Sequence, residues 1–490
     1  MNRRSFMRLT ISSMLAAKVL GKSPSSLPVA VSEDSDKKRW NFLFVLVDDL
    51  GWSDLGCYGN EFIDTPNIDR LSEQGMRFTS AYAMPVCTPT RVCVQTGKNN
   101  ASLNIQHPNP HVRPWAKLLV PEQKWQLDAS EITIAEALKP AGYVCGHFGK
   151  WGSGYSKGHL SEDQGYIKPE GRSFKKHHYT DKLEKFAREN PYKGIGRQLR
   201  QGIQFIEENQ RRPFLCTLSY KMVHSPPEAK EALIEKYKKR RQEYRTVIHP
   251  EYAAMVETVD ETMGILEEIL TTLNLRENTI VIFYSDNGGV ISERGYLRHG
   301  FEEVLTHNWP LRGEKGSLYE GGIRVPLIIS WPGKVKAGTL CDTPVICHDL
   351  LPTFLHIAGV EHPNPEIVDG KSLVPLLKQT ENLDREALYW HYPRYHHSSP
   401  CAAIRQGDYK LIKYYENNQI ELYNLRDDIG EQFDLSNKQK EEAFNLQEKL
   451  DQWLRSVDAR VPKSNPEYDP DKEIIWGERL PKKWWQKDEH

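Results

Sequence analysis

The segment NFLFVLVDD, residues 41–49, sets the architecture expected for this chain. Its first seven residues form an almost continuous run rich in Val, Leu and Phe, which is the pattern of a strand buried on both faces of a parallel sheet. The run ends at Asp48 and Asp49. Two carboxylates at the end of a buried strand are costly unless a cation or hydrogen-bond donors neutralise them, and ligands of open α/β sheets sit at this edge. We therefore predict a binding site at the carboxyl edge of a parallel sheet.

Predicted strands and helices alternate along most of the remaining chain. The pattern indicates buried strands at residues 143–148, 213–220, 279–284 and 325–331, and helices at 67–74, 133–139, 175–189, 198–209, 251–273 and 349–358. This alternation predicts an α/β fold with a large, doubly wound, mainly parallel sheet flanked by helices. Polar clusters follow directly after these strands, which indicates one shared site. Thr65 is the expected N-cap of the first helix.

The character of the sequence changes near residue 378. Short strands are expected at residues 402–405, 410–414 and 420–425, with a helix at 440–457. Residues 378–490 are therefore predicted to form a C-terminal α+β subdomain, a small antiparallel sheet with a helix. Residues 37–377 would form the catalytic domain.

The N-terminal residues carry an export pattern. Arg3 and Arg4 precede a short apolar segment at residues 9–20, which cannot span a bilayer, and a Pro-, Ser- and acid-containing stretch follows to residue 36. We interpret residues 1–36 as a twin-arginine-type export signal and linker. This predicts the bacterial periplasm, with secretion or surface attachment as alternatives, and no transmembrane anchor is expected elsewhere.

Composition narrows the class of partner. A formal net charge of −1 gives no electrostatic support for nucleic-acid binding. The 12 Trp, 22 Tyr and 17 His include many rings suited to stacking on sugars, although ordinary packing accounts for most of them. Eight cysteines in 490 residues do not make a disulfide scaffold, and pairing between Cys341 and Cys347 stays open.

A second motif, CTPTRVCVQTG at residues 87–97, places a nucleophile and a cation on one helical face. Cys87 lies at the start of a predicted helix, and Arg91 follows one turn later. A helix N-terminus offers unpaired N–H groups and the positive end of the helix dipole, so it suits an anion. We interpret the pair as directed at one tetrahedral anion.

Oxygen donors follow two of the predicted strands. Hard oxygen ligands without a matching His or Cys set favour Ca²⁺, with Mg²⁺ as the alternative, over zinc. The predicted metal ligands are Asp48, Asp49, Asp286 and Asn287.

Two lysines and one histidine extend this set. Lys150 and Lys315 lie in glycine-bounded stretches near strands, so we expect them to add positive charge beside Arg91. His224 follows the strand at 213–220 and is a candidate general acid for a leaving alcohol.

These elements together resemble the type I, formylglycine-dependent sulfatases of the alkaline-phosphatase-like superfamily over residues 40–435. The resemblance is carried by residues 47–51, 87–98, 142–151, 284–288, 312–326 and 404–425. It implies an exported bacterial sulfatase, arylsulfatase-like, that acts on a sulfated carbohydrate.

The resemblance also implies roles for the site residues. Cys87 would be oxidised to formylglycine by a formylglycine-generating or sulfatase-maturating enzyme, and one hydroxyl of the hydrated aldehyde would attack sulfur and expel the alcohol. The modified residue would also be a metal ligand. The other implied catalytic residues are Arg91, Lys150, His224 and Lys315.

Gly152 departs from the family pattern. The family has a histidine after Gly-Lys-Trp, whereas this chain has glycine at that position. In the family the histidine contacts the formylglycine hydroxyls. His147, near the end of the preceding strand, is the candidate substitute for this histidine.

The sugar itself is not indicated by the resemblance. Histidine-rich stretches at 391–397 and 299–309 are the candidate sugar subsite, and a plain surface loop is the alternative. The substrate-binding candidates are His147, His299, His307, His391, Arg394 and His396.

The sequence leaves two alternative functions open. A phosphatase or phosphodiesterase on the same fold would use Ser or Thr with two zinc ions and more histidine ligands. An inactive relative that only binds sulfated glycans is suggested by Gly152.

Overall fold

The computed structural model describes residues 39–108, 116–169, 179–244, 246–291 and 304–470. The predicted export segment at 1–36 and His299 lie outside these ranges, as do residues 175–178 of one predicted helix.

The described residues form the following strands and helices. The strands are Asn41–Val47 (β1), Met76–Phe78 (β2), Ala81–Tyr82 (β3), Leu118–Leu119 (β4), Val144–Gly149 (β5), Phe214–Ser219 (β6), Thr279–Ser285 (β7), Leu327–Ser330 (β8), Thr339–Cys341 (β9), Val345–Ile346 (β10), Leu388–Tyr392 (β11), Cys401–Gln406 (β12), Tyr409–Tyr414 (β13), Ile420–Asn424 (β14) and Lys463–Ser464 (β15). The α-helices are Pro66–Gln74 (α1), Cys87–Thr96 (α2), Asn100–Leu103 (α3), Ile134–Leu138 (α4), Thr180–Glu189 (α5), Ile195–Asn209 (α6), Glu231–Tyr244 (α7), Pro250–Thr272 (α8), Glu320–Ile323 (α9), Leu350–Ala358 (α10), Val374–Lys378 (α11) and Lys440–Ser456 (α12).

The main sheet has seven strands in the order β5–β6–β1–β7–β8–β2–β9. The first four are mutually parallel, β8 runs antiparallel to both of its neighbours, and β9 is parallel to β2. β1 therefore lies between two parallel strands, and all seven of its residues are buried, as its apolar run predicts. The predicted mainly parallel α/β sheet is confirmed.

Side chains of β1 alternate between two hydrophobic cores, one on each face of the sheet. Phe42, Phe44 and Leu46 belong to the core that includes α2, α4 and α10. Leu43 and Val45 belong to the other core, which includes α1, α5, α6, α7 and α8. Helices thus cover both faces, which is the doubly wound arrangement expected from the sequence.

The C-terminal residues form the predicted small sheet. β11, β12, β13 and β14 are antiparallel, and α12 packs on them through Ala443, Leu446 and Leu450. The boundary at residue 378 stays a prediction. No helix in the described ranges combines the length and apolar character that crossing a bilayer would take. All eight cysteines are free thiols, including Cys341 and Cys347.

Thr65 takes the predicted N-cap position of α1, with Pro66 as the first helical residue. Its side chain does not cap the helix, because its hydroxyl accepts a hydrogen bond from the Gly56 N–H and donates to Asp69 instead. Thr133, by contrast, caps α4 reciprocally with Glu136.

Candidate active site

The turn after β1 is fixed by backbone bonds to the two neighbouring strands. The Asp48 N–H donates to Met222 O at 2.9 Å beyond β6, and the Asp286 N–H at the end of β7 donates to Val47 O at 3.1 Å. Asp49 has φ 64°, a left-handed conformation that few non-glycine residues adopt. These constraints hold the carboxylates of Asp48, Asp49 and Asp286 together at the carboxyl edge, all of them buried.

Cys87 lies beside this group as the first residue of α2. The residue is 3 % exposed, and its Sγ lies within 4.8 Å of carboxylate oxygens of Asp48 and Asp286. The Thr90 hydroxyl accepts a hydrogen bond from the Met84 N–H at 2.9 Å, which pins the chain as it enters the helix. The helix N-terminus therefore directs residue 87 at the carboxylates.

Arg91 joins the helix to the strand ends. Its Nε and Nη2 donate to Asp286 Oδ2 at 2.8 and 2.6 Å, and its Nη1 donates to Lys150 O at 2.6 Å and Ser219 Oγ at 2.5 Å. Burial lowers the pKa of Arg91, but the carboxylates of Asp286 and Asp48 outweigh it, so the pKa is raised. These contacts keep Arg91 charged and fix the orientation of its guanidinium group.

Each lysine of the predicted set pairs with one acid of the β1 turn. Lys150 Nζ donates to Asp48 Oδ2 at 2.6 Å, and Lys315 Nζ donates to both Asp49 oxygens at 2.6 and 2.8 Å. Burial alone would raise the pKa of Asp48, but the charge of Lys150 reverses the shift, and Lys315 does the same for the pKa of Asp49, so both are lowered. Three cationic side chains thus face three carboxylates.

The turn that carries Lys315 has the glycine geometry expected from the sequence. Gly313 and Gly316 have φ 78° and 80°, which is left-handed backbone. A Cβ at Gly316 would lie 1.9 Å from the His396 ring, so a glycine is required there.

The donor set fits a divalent cation. Asp48 Oδ1 and Asn287 Oδ1 are buried and have no hydrogen-bond partner, whereas Asn287 Nδ2 donates to Asp49 Oδ1 at 2.8 Å. Burial and the neighbouring charge of Asp48 raise the pKa of Asp286 to about 7, while the positive charges of Arg91 and Lys150 oppose the shift. Buried oxygens of this kind are the ligands that Ca²⁺ and Mg²⁺ prefer.

His224 lies on the same side of the carboxylate group. Its Nδ1 donates to Ser225 O at 2.8 Å, because a carbonyl oxygen can only accept, and its Nε2 lies 3.7 Å from Asp49 Oδ2. The positive charge of Lys315 lowers the pKa of His224, and Asp49 opposes this shift. With 38 % of its side chain exposed, His224 is open to a ligand.

Two of the predicted substrate-binding histidines lie close to this centre. His396 packs on the turn of Lys315, and the adjacent His397 has Nδ1 2.7 Å from Lys315 O. His307 precedes Asn308, whose side chain bonds the backbone of Gly289 beside the Asp286 turn. The segments 396–398 and 306–308 therefore border the site.

The other described candidates contact protein groups. The His147 ring packs against Trp151 and Tyr166 at 5.0 and 5.5 Å between ring centroids, and burial lowers its pKa to about 3. His391 lies in β11, not in a loop, and its ring nitrogens contact Tyr415 OH at 2.8 Å and Arg460 O at 3.1 Å. Protein groups therefore occupy both nitrogens of His391.

Arg394 is also directed at the protein. It is buried, its Nη1 donates to Pro121 O at 3.3 Å, and its guanidinium carbon lies 5.7 Å from the centroid of the Trp125 ring.

Two serines belong to the centre but were missed in the sequence. Ser219 accepts from Arg91 and donates to Lys150 O at 2.7 Å, and Ser285 accepts from the Leu50 N–H at 3.1 Å. Each is the last residue of a buried parallel strand, and a polar residue at that position is the signal that would have found them.

Gly152 has a steric reason to be glycine. Its φ is 70°, and a Cβ there would lie 2.6 Å from Arg91 Cδ. The side chain of Arg91 thus fills the volume in which a residue at position 152 would place its own side chain. The side chain of Arg91 therefore leaves no room for a histidine side chain at position 152.

We expect Gly152→Ala to lower the free energy of unfolding by about 1–3 kcal/mol more than Gly158→Ala does. Gly158 is the matched control because its φ is also positive, 89°, while no atom lies within 4 Å of its would-be Cβ. Displacing Arg91 by about 1 Å should also cost roughly tenfold or more in turnover. Urea unfolding and sulfate-ester kinetics measure both effects. Equal effects of the two substitutions would contradict the contact with Arg91.

Comparison with known proteins identifies the family. The sulfatase family model matches residues 40–360, and the model for the C-terminal region of N-sulphoglucosamine sulphohydrolase matches residues 309–460. A sulfatase of Formosa agariphila is 28 % identical over 538 residues, covering 92 % of this chain and 94 % of the relative. Human N-acetylgalactosamine-6-sulfatase is 28 % identical over 377 residues, covering 71 % and 68 %.

A solved structure agrees with these matches. Ps i-CgsB in complex with k-i-k-neocarrahexaose is 27 % identical, with a TM-score of 0.68 over 88 % of this chain and 94 % of that one. Since the family model spans well over half of the chain and the converging acids and cations lie within the matched residues, this protein belongs to the sulfatase family and is a sulfuric ester hydrolase.

Proposed function

We propose that the protein removes sulfate from a sulfated carbohydrate, using a formylglycine formed from Cys87 and a bound divalent cation. The observation that carries this proposal is the convergence of Cys87 with Asp48 and Asp286, whose ligand atoms lie within 4.8 Å of one another. A residue at the N-terminus of α2 is thereby set against a buried group of carboxylates and cations.

Asp48, Asp49, Asp286 and Asn287 would hold the cation, together with the modified residue 87. The unpartnered oxygens of Asp48 and Asn287 support this assignment. When bound, a divalent cation supplies positive charge for an oxygen nucleophile and for the sulfate. Four oxygen donors favour Ca²⁺, with Mg²⁺ as the alternative.

The remaining residues would bind and orient the sulfate group. A hydrated formylglycine supplies a hydroxyl nucleophile where the thiol itself would not, and its formation would require a formylglycine-generating or sulfatase-maturating enzyme. Arg91, Lys150 and Lys315 surround position 87 with charge that is fixed before substrate binds, and preorganised charge is the main source of transition-state stabilisation.

His224 would donate a proton to the oxygen of the leaving alcohol. The Nδ1 bond to Ser225 O orients the ring, and Nε2 is the atom directed toward the carboxylate centre. A general acid of this kind contributes about 10²–10⁴-fold, most for a leaving group as basic as a sugar alcohol.

A carbohydrate substrate is supported by the surroundings of the site and by the relatives. Tyr155 is 60 % exposed and its OH lies 3.5 Å from the hydroxyl of Thr88, the neighbour of Cys87. Trp309, 43 % exposed, lies in the segment that follows His307. Exposed rings beside a site suit the apolar faces of sugars. The named relatives that act on an N-acetylgalactosamine sulfate or bind a neocarrahexaose point the same way.

We also propose that residues 1–36 direct export of the protein to the periplasm, because sulfated polysaccharides occur outside the cytoplasm. Arg3 and Arg4 support a twin-arginine-type signal.

We expect the purified protein to release inorganic sulfate from sulfated oligosaccharides, measured by ion chromatography. The panel should include carrageenan oligosaccharides, N-acetylgalactosamine 6-sulfate, para-nitrophenyl sulfate and para-nitrophenyl phosphate. A kcat/KM for one sulfated sugar at least about tenfold above that for the aryl sulfate would support the carbohydrate assignment, since binding energy from the sugar should lower the barrier. Faster release of phosphate than sulfate would favour the phosphatase alternative. Binding of a sulfated sugar without turnover, in protein shown to carry the aldehyde, would favour the inactive relative.

A further inference from the structure

A third lysine, Lys193, lies at the same edge of the sheet as the catalytic centre. It belongs to the short turn Tyr192–Gly194, directly before α6. α6 packs against β5 and β6 and leads into β6 through only four residues, so it runs antiparallel to that strand. The start of α6, and Lys193 with it, therefore lies at the carboxyl edge, where Lys150 and His224 also lie.

The side chain of Lys193 is nearly enclosed but only loosely paired. Its exposed fraction is 11 %, and Nζ lies 3.8 Å from Oε1 of Glu228, whose side chain is 46 % exposed. Burial lowers the pKa of Lys193, while the carboxylates of Glu228, Asp48 and Asp49 raise it. Lys193 therefore lies within electrostatic range of the two acids that hold the catalytic lysines.

This pairing differs from that of the catalytic cations. Lys150 and Lys315 contact buried carboxylates at 2.6 Å, and neither partner can leave. Glu228, by contrast, lies in the segment that follows His224 and is half exposed to solvent. A loose partner at the surface can be displaced by a ligand anion, whereas a buried partner cannot.

The backbone at Lys193 does not account for the presence of a lysine. Its φ and ψ are 52° and 8°, and Gly194 also has a positive φ of 72°. Glycine adopts this left-handed conformation without the steric cost that a Cβ brings. Lysine therefore carries a steric cost at this position that glycine would not.

We propose that Lys193 is a specificity-determining residue that binds a second anionic group, a sulfate or carboxylate, on the leaving part of the substrate. Glu228 holds the ammonium group in the absence of substrate and releases it to the incoming anion. This inference rests on the proposed function, because it concerns the part of the ester beyond the sulfate that is cleaved. Lysine suits the task, since a compact charge on a flexible stem tolerates several positions of the second anion.

The test compares two synthetic esters, para-nitrophenyl sulfate with one anionic group and 3-carboxy-4-nitrophenyl sulfate with two. The measured quantity is the selectivity ratio, kcat/KM for the dianionic ester divided by kcat/KM for the monoanionic one. We expect Lys193→Met to lower this ratio about tenfold, mainly through KM, and Lys193→Arg to restore most of it. Glu228→Gln should raise the ratio about threefold, because it removes the competing charge.

Lys336→Met is the control, since Lys336 is an exposed lysine beyond the end of β8, which runs antiparallel to β7 and so ends at the opposite edge of the sheet, and its loss should leave the ratio within about twofold. A ratio unchanged in Lys193→Met, or lowered equally by Lys336→Met, would overturn the assignment while leaving the sulfatase activity intact. Failure of the unsubstituted protein to hydrolyse either ester would instead count against the proposed function, and the inference that rests on it would fall as well.

Discussion

Cys87→Ala is expected to lower kcat/KM for every sulfate ester by at least about 10⁴-fold, because it removes the nucleophile and leaves only the binding groups. The fold should persist, since the side chain is small and its neighbours are polar. Cys93→Ala is the matched control: Cys93 lies on the same helix, is fully buried, and faces the hydrophobic core instead of the carboxylates. Its loss should change kcat/KM by no more than about threefold.

The same experiment should include the mass of the peptide that spans position 87, with and without an aldehyde-trapping reagent. We expect a trapped aldehyde and no thiol left to alkylate at that position. An unmodified, alkylatable thiol in protein from the native host, or activity of Cys87→Ala within tenfold of the unsubstituted chain, would exclude formylglycine as the nucleophile.

Removal of the cation is expected to have the second largest effect. Treatment with a chelator, or Asp48→Asn, should lower kcat by about 10³-fold, because the positive charge that the cation would supply to the nucleophile and the sulfate is lost. Adding Ca²⁺ to the chelated protein at about 100 times its dissociation constant should stabilise the folded state by about 2.7 kcal/mol. Thermal unfolding with and without Ca²⁺ or Mg²⁺ measures this.

The control for the metal experiment is Asp48→Asn itself, which should no longer respond to the chelator. Metal analysis should find one divalent ion per chain. Two zinc ions per chain, or a thermal midpoint that ignores both chelator and added cation, would contradict the oxygen-ligand site and revive the two-zinc phosphatase.

The sequence predicted the fold well where a segment is buried on both faces of the sheet. β1 has the same bounds in the prediction and in the structure, Asn41–Val47, because an uninterrupted apolar run fits only a central strand. Several other elements shifted at their ends. α6, for example, begins at Ile195 and not at residue 198, since the extent of the first and last turns of a helix depends on what its ends contact.

The sequence also named the charged residues of the centre, because most of them follow a strand, but it missed Ser219 and Ser285. Parallel strands bring their carboxyl ends to one edge, so Asp48, Lys150, His224 and Asp286 had to lie near one another once the sheet was correct. The sequence could not predict the distances between these side chains. It also could not predict that Lys150 pairs with Asp48 and Lys315 with Asp49.

The sequence predicted the sugar subsite less well than the centre, because contacts between distant segments decide where these histidines lie. A cluster of histidines has no periodicity or spacing that distinguishes a loop from an edge strand. His391 is a predicted residue of the sugar subsite, yet pairing of β11 with β12 buries it, while His396 five residues later packs on the Lys315 turn.

Sequence alone thus determined the class of fold, the edge of the sheet that carries the chemistry and the types of residue that meet there, because these follow from local periodicity and from motifs of fixed spacing. Only the tertiary structure decided why position 152 is glycine, where Lys193 lies, and which oxygens are left for a cation. Those properties arise from contacts between segments far apart in the chain, such as Gly152 against Arg91 and Lys193 against Glu228, and no local pattern encodes such contacts.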